Sequence, residues 1–216
     1  MPVTIVLADD HPIVRQGLKA ALDADPDYQV VGEAADGLET LALVERLKPN
    51  ILIVDVMMPG LNGLEVTRRV AESAPHTRVI VLSMYADEAH VREALKYGAV
   101  GYAVKDVDLA ELIRGLREVA AGRRYLSPPL SERAIEAYAR RAQASDNTHE
   151  ALTPRERQIL QLVAEGHTSA EIAAKLGISP RTVEVHRANL LHKLGLRTQT
   201  DVIRYAIRRG ILPPEP

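Results

Sequence analysis

The feature that most constrains the fold of this chain is the regular alternation of short apolar runs with longer amphipathic stretches in residues 1–122. The apolar runs, which are rich in Val, Ile and Leu, are Thr4–Leu7, Gln29–Ala34, Ile51–Val54, Arg78–Leu82 and Gly101–Val104. The amphipathic stretches begin near Pro12, Gly37, Gly63, Asp87 and Asp108. Short strands that alternate with helices form parallel sheets covered by helices on both faces. The sequence therefore predicts an α/β fold with a doubly wound, five-stranded parallel sheet.

Four of the predicted strands are followed by side chains that can bind a cation or a phosphoryl group. These side chains are Asp9, Asp10, Asp55, Ser83 and Lys105. Ligands of open parallel sheets bind at the carboxyl ends of the strands, so we expect all five to border one cleft. Taken singly, each has a simpler explanation, because an Asp can cap a helix or a turn and a Lys or Ser can be an ordinary loop residue. Their shared position favours a functional site.

The three carboxylates of this cluster would repel one another unless a cation lay among them. Hard oxygen ligands with no His or Cys nearby suit Mg²⁺, which we expect at this site. A carboxylate can also attack phosphorus and form an aspartyl phosphate. That reaction requires alignment of the reacting groups and neutralisation of the transferring oxygens, for which Lys105 is well placed. The sequence thus predicts phosphoryl transfer to an aspartate.

Residues 151–216 contain only helical patterns, and they follow a predicted linker at residues 123–150 in which Ser131–Ala144 is expected to be helical. Four capping signals predict four helices after the linker. The capping residues are Thr153, Thr168, Ser179 and Thr198. Residues 151–216 hold ten Lys and Arg against six Asp and Glu, whereas residues 1–150 hold 17 against 23. The C-terminal region is where a polyanionic partner would be expected, and the alternative is that such an excess is ordinary for a small domain.

Two of these helices, Ser169–Leu176 and Pro180–Leu194, are separated by a short turn and are typical of a helix-turn-helix. The second helix would enter the major groove of DNA. Side chains expected at phosphates are Arg181, Thr182, Arg187 and Lys193, and those expected at base edges are Glu184, Val185, Ala188 and Asn189. A plain four-helix bundle or a dimerisation module is the alternative explanation of the same pattern.

Three segments of the first region carry a family resemblance, and they are Leu7-Ala8-Asp9-Asp10-His11-Pro12, Val54-Asp55-Val56-Met57-Met58-Pro59-Gly60 and Gly101-Tyr102-Ala103-Val104-Lys105-Asp106. Through them about residues 3–122, within a predicted domain at 1–122, resemble the receiver domain of two-component response regulators, which has a flavodoxin-like fold. The resemblance implies that Asp55 is the phosphoacceptor and a metal ligand. It implies that Asp10 and the backbone carbonyl of Met57 bind Mg²⁺ directly, and that Asp9 does so through water. It also implies that Lys105 pairs with the phosphoryl group and that Ser83 and Tyr102 form a switch pair.

The C-terminal region carries a second resemblance, in Leu152-Thr153-Pro154-Arg155-Glu156-Arg157, Glu171-Ile172-Ala173 and Ser179-Pro180-Arg181-Thr182-Val183-Glu184-Val185-His186. About residues 151–212, within a predicted domain at 151–216, resemble the LuxR-type DNA-binding domain, and the whole chain is similar to the NarL/FixJ family of response regulators. This resemblance implies a transcription regulator rather than an enzyme, with a sensor histidine kinase and a double-stranded DNA operator as partners. It implies a homodimer in the phosphorylated or DNA-bound state and makes RNA polymerase a candidate partner. A cytoplasmic location is expected, because the chain lacks Cys and lacks an apolar run long enough to span a bilayer.

Glu184 departs from the LuxR-type pattern, since some members of the family have a basic residue at this position facing the groove.

Two other functions would use the same predicted elements. A flavodoxin-like FMN protein has the same kind of sheet, but Asp9 and Asp10 would repel the FMN phosphate. A receiver that acts only as a constitutive dimerisation scaffold would not need Asp55, Ser83 and Lys105 together. Phosphorylation by acetyl phosphate, or binding of a beryllofluoride mimic, distinguishes the last alternative from a working phosphoacceptor.

Overall fold

The computed structural model describes residues 1–84, 88–128, 130, 152–196, 198–209 and 211–212. The chain divides into two compact units, residues 1–141 and 142–216. The predicted helix at Ser131–Ala144 and the predicted helix start at Asp87 lie outside the described residues. No helix in the described ranges is both long enough and apolar enough to cross a membrane.

The first unit is built on a parallel sheet with the strand order β2-β1-β3-β4-β5-β6. Its strands are β1 (Val3–Ala8), β2 (Tyr28–Ala34), β3 (Ile51–Asp55), β4 (Arg78–Ser83), β5 (Gly101–Val104) and β6 (Tyr125–Leu126). Every adjacent pair is parallel. The predicted doubly wound α/β fold is confirmed, and the five predicted strands agree with β1 to β5 to within one residue at each end.

Five helices connect these strands, and they are α1 (Pro12–Asp23), α2 (Gly37–Leu47), α3 (Gly63–Ser73), α4 (Glu88–Lys96) and α5 (Leu109–Ala120). Three of them begin after a residue whose side chain accepts hydrogen bonds from the first-turn amides. These residues are Asp36, Asn62 and Asp108. An oxygen acceptor at this position satisfies an amide that has no partner within the helix, which is why these helices start where they do.

Alternate residues of the central strands enter two separate cores, one on each face of the sheet. One face includes Val6, Leu52, Val54, Val79 and Val81, and the other includes Ile5, Leu7, Ile51, Ile53 and Ile80. All ten are at most 1% exposed. Because both faces are buried, the strands read as continuous apolar runs instead of alternating ones. The buried sheet fixes the carboxyl ends of β1, β3, β4 and β5 beside one another.

The prediction of a five-stranded sheet missed β6, which lies in the stretch predicted as a linker. Tyr125 is buried against α5, and a Cβ added to Gly115 would lie 2.5 Å from its ring. The Tyr125 hydroxyl donates a hydrogen bond to Glu111 Oε1 over 2.8 Å. A strand of two residues between Gly122 and Pro128 is too short to show a strand pattern, so only the tertiary packing of Tyr125 specifies it.

The second unit contains four helices within its described residues, as predicted. They are α6 (Pro154–Ala164), α7 (Ser169–Leu176), α8 (Pro180–Leu194) and α9 (Gln199–Arg208). Capping boxes begin three of them, at Thr153, Thr168 and Thr198, and the Ser179 hydroxyl accepts from the Thr182 amide at the start of α8. The core that the helices share includes Ile159, Leu160, Ile172, Val183, Leu190 and Ala206. Burial of Val183 and Leu190 in this core fixes which side of α8 is exposed.

Candidate functional site

The predicted cluster at the carboxyl edge of the sheet is present in the structure. Lys105 Nζ lies 2.7 Å from Asp9 Oδ2 and 2.7 Å from Asp55 Oδ2. Asp9 follows β1, Asp55 is the last residue of β3 and Lys105 follows β5, so sheet order brings them together. The side chains of both carboxylates are 3% exposed and that of Lys105 is 8% exposed. A buried ammonium group therefore joins two buried carboxylates that lie far apart in the sequence.

Burial and pairing act in opposite directions on the protonation of this cluster. Burial raises the pKa of Asp55, and the hydrogen bond from Lys105 only partly offsets this effect. For Lys105, burial lowers the pKa, but the hydrogen bonds to Asp55 and Asp9 outweigh burial and raise it above its ordinary value. Lys105 is therefore a fixed positive charge. One such charge does not balance two buried carboxylates, so the cluster attracts a further cation.

Among the described residues, those that could hold a metal ion are Asp9, Asp10, His11 and Asp55, whose ligand atoms all lie within 4.8 Å of one another. The three carboxylates supply hard oxygen ligands, which fit Mg²⁺. The expectation that no His lies near these oxygen ligands was wrong, because His11 Nδ1 lies 2.7 Å from Asp10 Oδ1 and 3.1 Å from Asp9 Oδ1. The only sequence signal for this contact is that His11 directly follows the two aspartates. The backbone of Met57 borders the cluster through a hydrogen bond to Asp55.

The two residues predicted as a switch pair are both completely buried. Ser83 ends β4 and is opposite Val104 in the sheet, whereas Tyr102 lies on β5 opposite Val81. The ring of Tyr102 belongs to the same core cluster as Val104. The aromatic side chain is therefore directed into the interior behind the strand ends that carry the acidic cluster.

The second unit presents most of the predicted DNA-contacting residues on the outer side of α8. Exposed residues there are Arg181, Thr182, Glu184, Val185, Ala188 and Asn189, and Arg187 is partly exposed. Val185 is 54% exposed, although it is apolar. A helix of this kind, with its inner side fixed by Val183 and Leu190, has an outer side available to a macromolecular surface. Apolar contact with a thymine methyl is one role open to an exposed Val.

Lys193, which was predicted at a phosphate, has an intramolecular partner in the structure. Its Nζ lies 2.7 Å from Glu156 Oε2, and the Glu156 side chain is only 4% exposed. Glu156 also closes the capping box of α6 by accepting from the Thr153 amide. Burial would raise the pKa of Glu156, but hydrogen bonds from Lys193 and Thr153 lower it overall. Lys193 thus connects α8 to the start of α6.

Gln199 makes a second connection that sequence reasoning missed. Its Nε2 donates to the Val163 carbonyl over 2.6 Å, and its Oε1 accepts from Arg187 Nη2 over 3.4 Å. The first residue of α9 therefore contacts both α6 and α8. A pattern of apolar spacing contains no signal for such a contact, because it depends on how three helices pack.

Comparisons with known proteins match both units. A family model described as the response regulator receiver domain matches residues 5–117, and one described as bacterial regulatory proteins of the luxR family matches residues 150–206. The chain is 36% identical to the oxygen regulatory protein NreC of Staphylococcus carnosus over 213 residues, which cover 96% of this chain and 98% of that protein.

Solved structures are similar to the chain as well. A two-component response regulator of the LuxR family from Aurantimonas sp. SI85-9A1 matches with a TM-score of 0.61 and 35% identity, over 64% of this chain and 99% of that one. RcsB from Salmonella enterica serovar Typhimurium, bound to promoter P1flhDC in the presence of the phosphomimetic BeF₃⁻, matches with a TM-score of 0.59 and 27% identity. That match covers 95% of this chain and 98% of RcsB.

Proposed function

Because this chain belongs to the two-component response regulators that join a receiver domain to a LuxR-type DNA-binding domain, we propose that phosphorylation of Asp55 by a sensor histidine kinase controls its binding to a DNA operator. The single observation that carries the assignment of Asp55 is its contact with Lys105 at the carboxyl edge of the sheet. The family is one of transcriptional regulators rather than enzymes.

The chemistry at Asp55 is nucleophilic substitution at phosphorus. A carboxylate oxygen of Asp55 forms a bond to the phosphoryl group while the phosphorus–nitrogen bond to the kinase histidine breaks and the imidazole leaves. Lys105 pairs with the negative oxygens of the transferred group. Asp10, Asp55 and the Met57 carbonyl would hold Mg²⁺ directly and Asp9 through water, and the bound ion would supply further neutralisation of those oxygens.

Ser83 and Tyr102 respond to the new phosphoryl group. The Ser83 hydroxyl moves towards the phosphoryl group and donates a hydrogen bond to one of its oxygens. The inward position of the Tyr102 ring accompanies this movement of Ser83. Support comes from their complete burial next to the strand ends that carry Asp55 and Lys105. A buried aromatic ring cannot change position without repacking its neighbours, so the pair can convert a local charge into a change of surface.

DNA is read by the outer side of α8 in the major groove. Arg181, Thr182 and Arg187 contact phosphates, and Glu184, Val185, Ala188 and Asn189 face base edges. Glu184 can accept a hydrogen bond from cytosine N4 and repels phosphate, so it favours a base contact. The ion pair of Lys193 with Glu156 favours a role in holding α8 in place over the predicted phosphate contact.

The active form is a homodimer, since one small module contacts too few base pairs for useful specificity. RcsB has been solved as two dimers bound to two parallel DNAs. A regulator of this kind acts in the cytoplasm, and RNA polymerase is its candidate partner at a promoter. The alternative, a receiver that acts only as a dimerisation scaffold and is not phosphorylated, is not needed to explain any of these assignments.

The decisive experiment replaces Asp55 with Asn and measures both phosphorylation and DNA affinity. Wild-type protein should incorporate phosphate from acetyl phosphate and bind its operator more tightly afterwards, whereas Asp55→Asn should do neither. Asp106→Asn is the matched control, because Asp106 is exposed and lies next to Lys105 in the sequence. An equal response to acetyl phosphate in wild type and Asp55→Asn would reject Asp55 as the acceptor.

A further inference from the structure

The chain that leaves the receiver unit is hydrogen-bonded to the strand that carries the switch tyrosine. The Tyr125 amide donates to the Val100 carbonyl over 3.0 Å, and the Ser127 amide donates to the Tyr102 carbonyl over 2.9 Å. These bonds make β6 the edge strand of the sheet, next to β5. The segment that leads towards the second unit therefore begins as part of the sheet.

The Ser127 side chain extends this pairing by one step. Its Oγ accepts a hydrogen bond from the Val104 amide over 3.1 Å, and Ser127 is completely buried. The hydroxyl oxygen takes the place that a backbone carbonyl of a longer β6 would occupy. Pro128 has no amide hydrogen and cannot continue a ladder, so the side chain of Ser127 makes the last bond. The Leu130 amide then donates to the Ser127 carbonyl, and Leu130 packs in the core cluster that contains Tyr102.

The other edge of β5 pairs with β4, on the side of the acceptor site. The Lys105 amide donates to the Ser83 carbonyl over 2.8 Å, and Ser83 is opposite Val104 in the sheet. Val104 and Lys105 thus lie between Ser83 on one side and Ser127 on the other. A displacement of Lys105 or Ser83 at the acceptor site therefore acts on β5, and the opposite edge of β5 is hydrogen-bonded to Ser127.

We propose that Ser127 is a positioning residue that couples the acceptor site to the segment following β6. The inference rests on the proposed function, since it requires Asp55 to accept a phosphoryl group. Ser127 touches neither phosphate nor metal in this scheme. It keeps the departing chain in register with Val104, so that a change at Lys105 is passed to Ser127 and Leu130.

The test compares amide hydrogen exchange in the full-length chain with and without Mg²⁺ and BeF₃⁻. In wild type, BeF₃⁻ should slow exchange by about threefold or more at the amide of Lys105 and also at the amides of Ser127 and Leu130. In Ser127→Ala, which removes the acceptor for the Val104 amide, the effect at Lys105 should remain. The effect at residue 127 and at Leu130 should fall below about 1.5-fold, while the rate of phosphorylation by acetyl phosphate stays within about twofold of wild type.

Thr77→Val is the matched control for loss of a buried hydroxyl. Thr77 Oγ1 donates to the Pro49 carbonyl over 2.8 Å at the amino edge of the sheet, away from Ser127. This variant should retain the coupled response. Ser127→Cys, with a weakly accepting sulfur, is the second variant, and it should show a reduced response even if Ser127→Ala does not fold.

Three outcomes would overturn the coupling role. The first is a response at residue 127 and Leu130 in folded Ser127→Ala or Ser127→Cys that is as large as in wild type. The second is a wild-type response to BeF₃⁻ at Lys105 that never reaches Ser127 and Leu130, and the third is an equal loss of coupling in Thr77→Val. A complete lack of response to BeF₃⁻ around Asp55 and Lys105 is a different result. It would overturn the proposed function itself, and the coupling role with it.

Discussion

In the part of the chain that the structure describes, the acidic cluster contains more negative charge than the buried ammonium group of Lys105 can balance. Lys105 contacts Asp9 and Asp55, and Asp10 adds a third carboxylate whose side chain is 34% exposed. Close carboxylates raise the free energy of the folded state when no metal is bound. The same repulsion makes metal binding favourable, so the stability of the receiver unit should depend on Mg²⁺.

We predict that Asp10→Asn stabilises the metal-free chain by about 1 kcal/mol and abolishes its stabilisation by Mg²⁺. The substitution removes one negative charge and one direct ligand with little change of shape. Thermal unfolding in EDTA and in excess Mg²⁺ measures both effects, with Asp106→Asn as the exposed control. A shift with Mg²⁺ in Asp10→Asn as large as in wild type would show that Asp10 is not a ligand.

Individual site residues differ in how well the sequence specified them. Asp9, Asp55 and Lys105 follow strands of a parallel sheet, and a general rule of sheet topology predicts that they meet. The contact of His11 with Asp10 follows no such rule, since it depends on the direction in which the chain turns into α1. Pairing of Lys193 with Glu156 joins residues 37 positions apart in the sequence, and no pattern of spacing predicts it.

At the level of elements, two helical glycines with opposite surroundings test the packing of the receiver unit. A Cβ at Gly115 in α5 would lie 2.5 Å from the Tyr125 ring, whereas a Cβ at Gly17 in α1 would have nothing within 4 Å. We predict that Gly115→Ala destabilises the unit by about 1–3 kcal/mol, because β6 must move away from α5. Gly17→Ala should stabilise it by about 0.4–1 kcal/mol through the entropy of the unfolded chain.

Urea unfolding of the two variants beside wild type measures this difference. Equal and small effects of both substitutions would mean that Tyr125 does not pack on α5 as described. The comparison also tests β6 directly, since Gly115 is the residue that allows the Tyr125 ring to approach the helix. Sequence patterns predicted the longer helices and strands because each contains enough apolar residues to show a regular spacing. They missed β6 because two residues are too few to show any spacing.

The contact between α6 and α8 should make the stability of the second unit depend on pH. Hydrogen bonds from Lys193 and Thr153 outweigh burial and lower the pKa of Glu156. A carboxyl group with a lowered folded pKa stabilises the fold fully above its unfolded pKa, and that contribution is lost as the pH falls through the folded value. We predict that Glu156→Gln costs about 1–2 kcal/mol at neutral pH and less in acid.

Hydrogen exchange of amides in α6 and α8, measured at neutral and acidic pH, gives the local stability for this test. Gln can still close the capping box, so the variant isolates the ion pair with Lys193 from the cap. Glu171→Gln is the matched control, because Glu171 closes the capping box of α7 in an exposed position. A pH dependence in Glu156→Gln equal to that of wild type would contradict this origin.

At the scale of the whole molecule, charge is divided between the two parts of the chain. Residues 151–216 hold an excess of Lys and Arg, and residues 1–150 hold an excess of Asp and Glu. The sequence could predict this division from composition and the helices and strands of each part from periodicity and capping signals. It could also predict the position of the acidic cluster, because ligands of parallel sheets bind at the carboxyl ends of the strands. It could not predict which basic side chains are available to DNA, since that depends on partners such as Glu156 and Gln199.

The salt dependence of DNA binding distinguishes basic side chains that can contact phosphates from those that are paired within the protein. Each phosphate contact releases counterions and contributes about 0.9 to the slope of log affinity against log salt concentration. We predict that Arg181→Ala lowers that slope by about 1 per bound chain, because Arg181 is exposed at the start of α8. Lys193→Met should leave the slope unchanged, because Lys193 is paired with Glu156. Fluorescence anisotropy on an operator selected from random DNA measures both slopes, and an equal decrease in the two variants would place Lys193 at a phosphate after all.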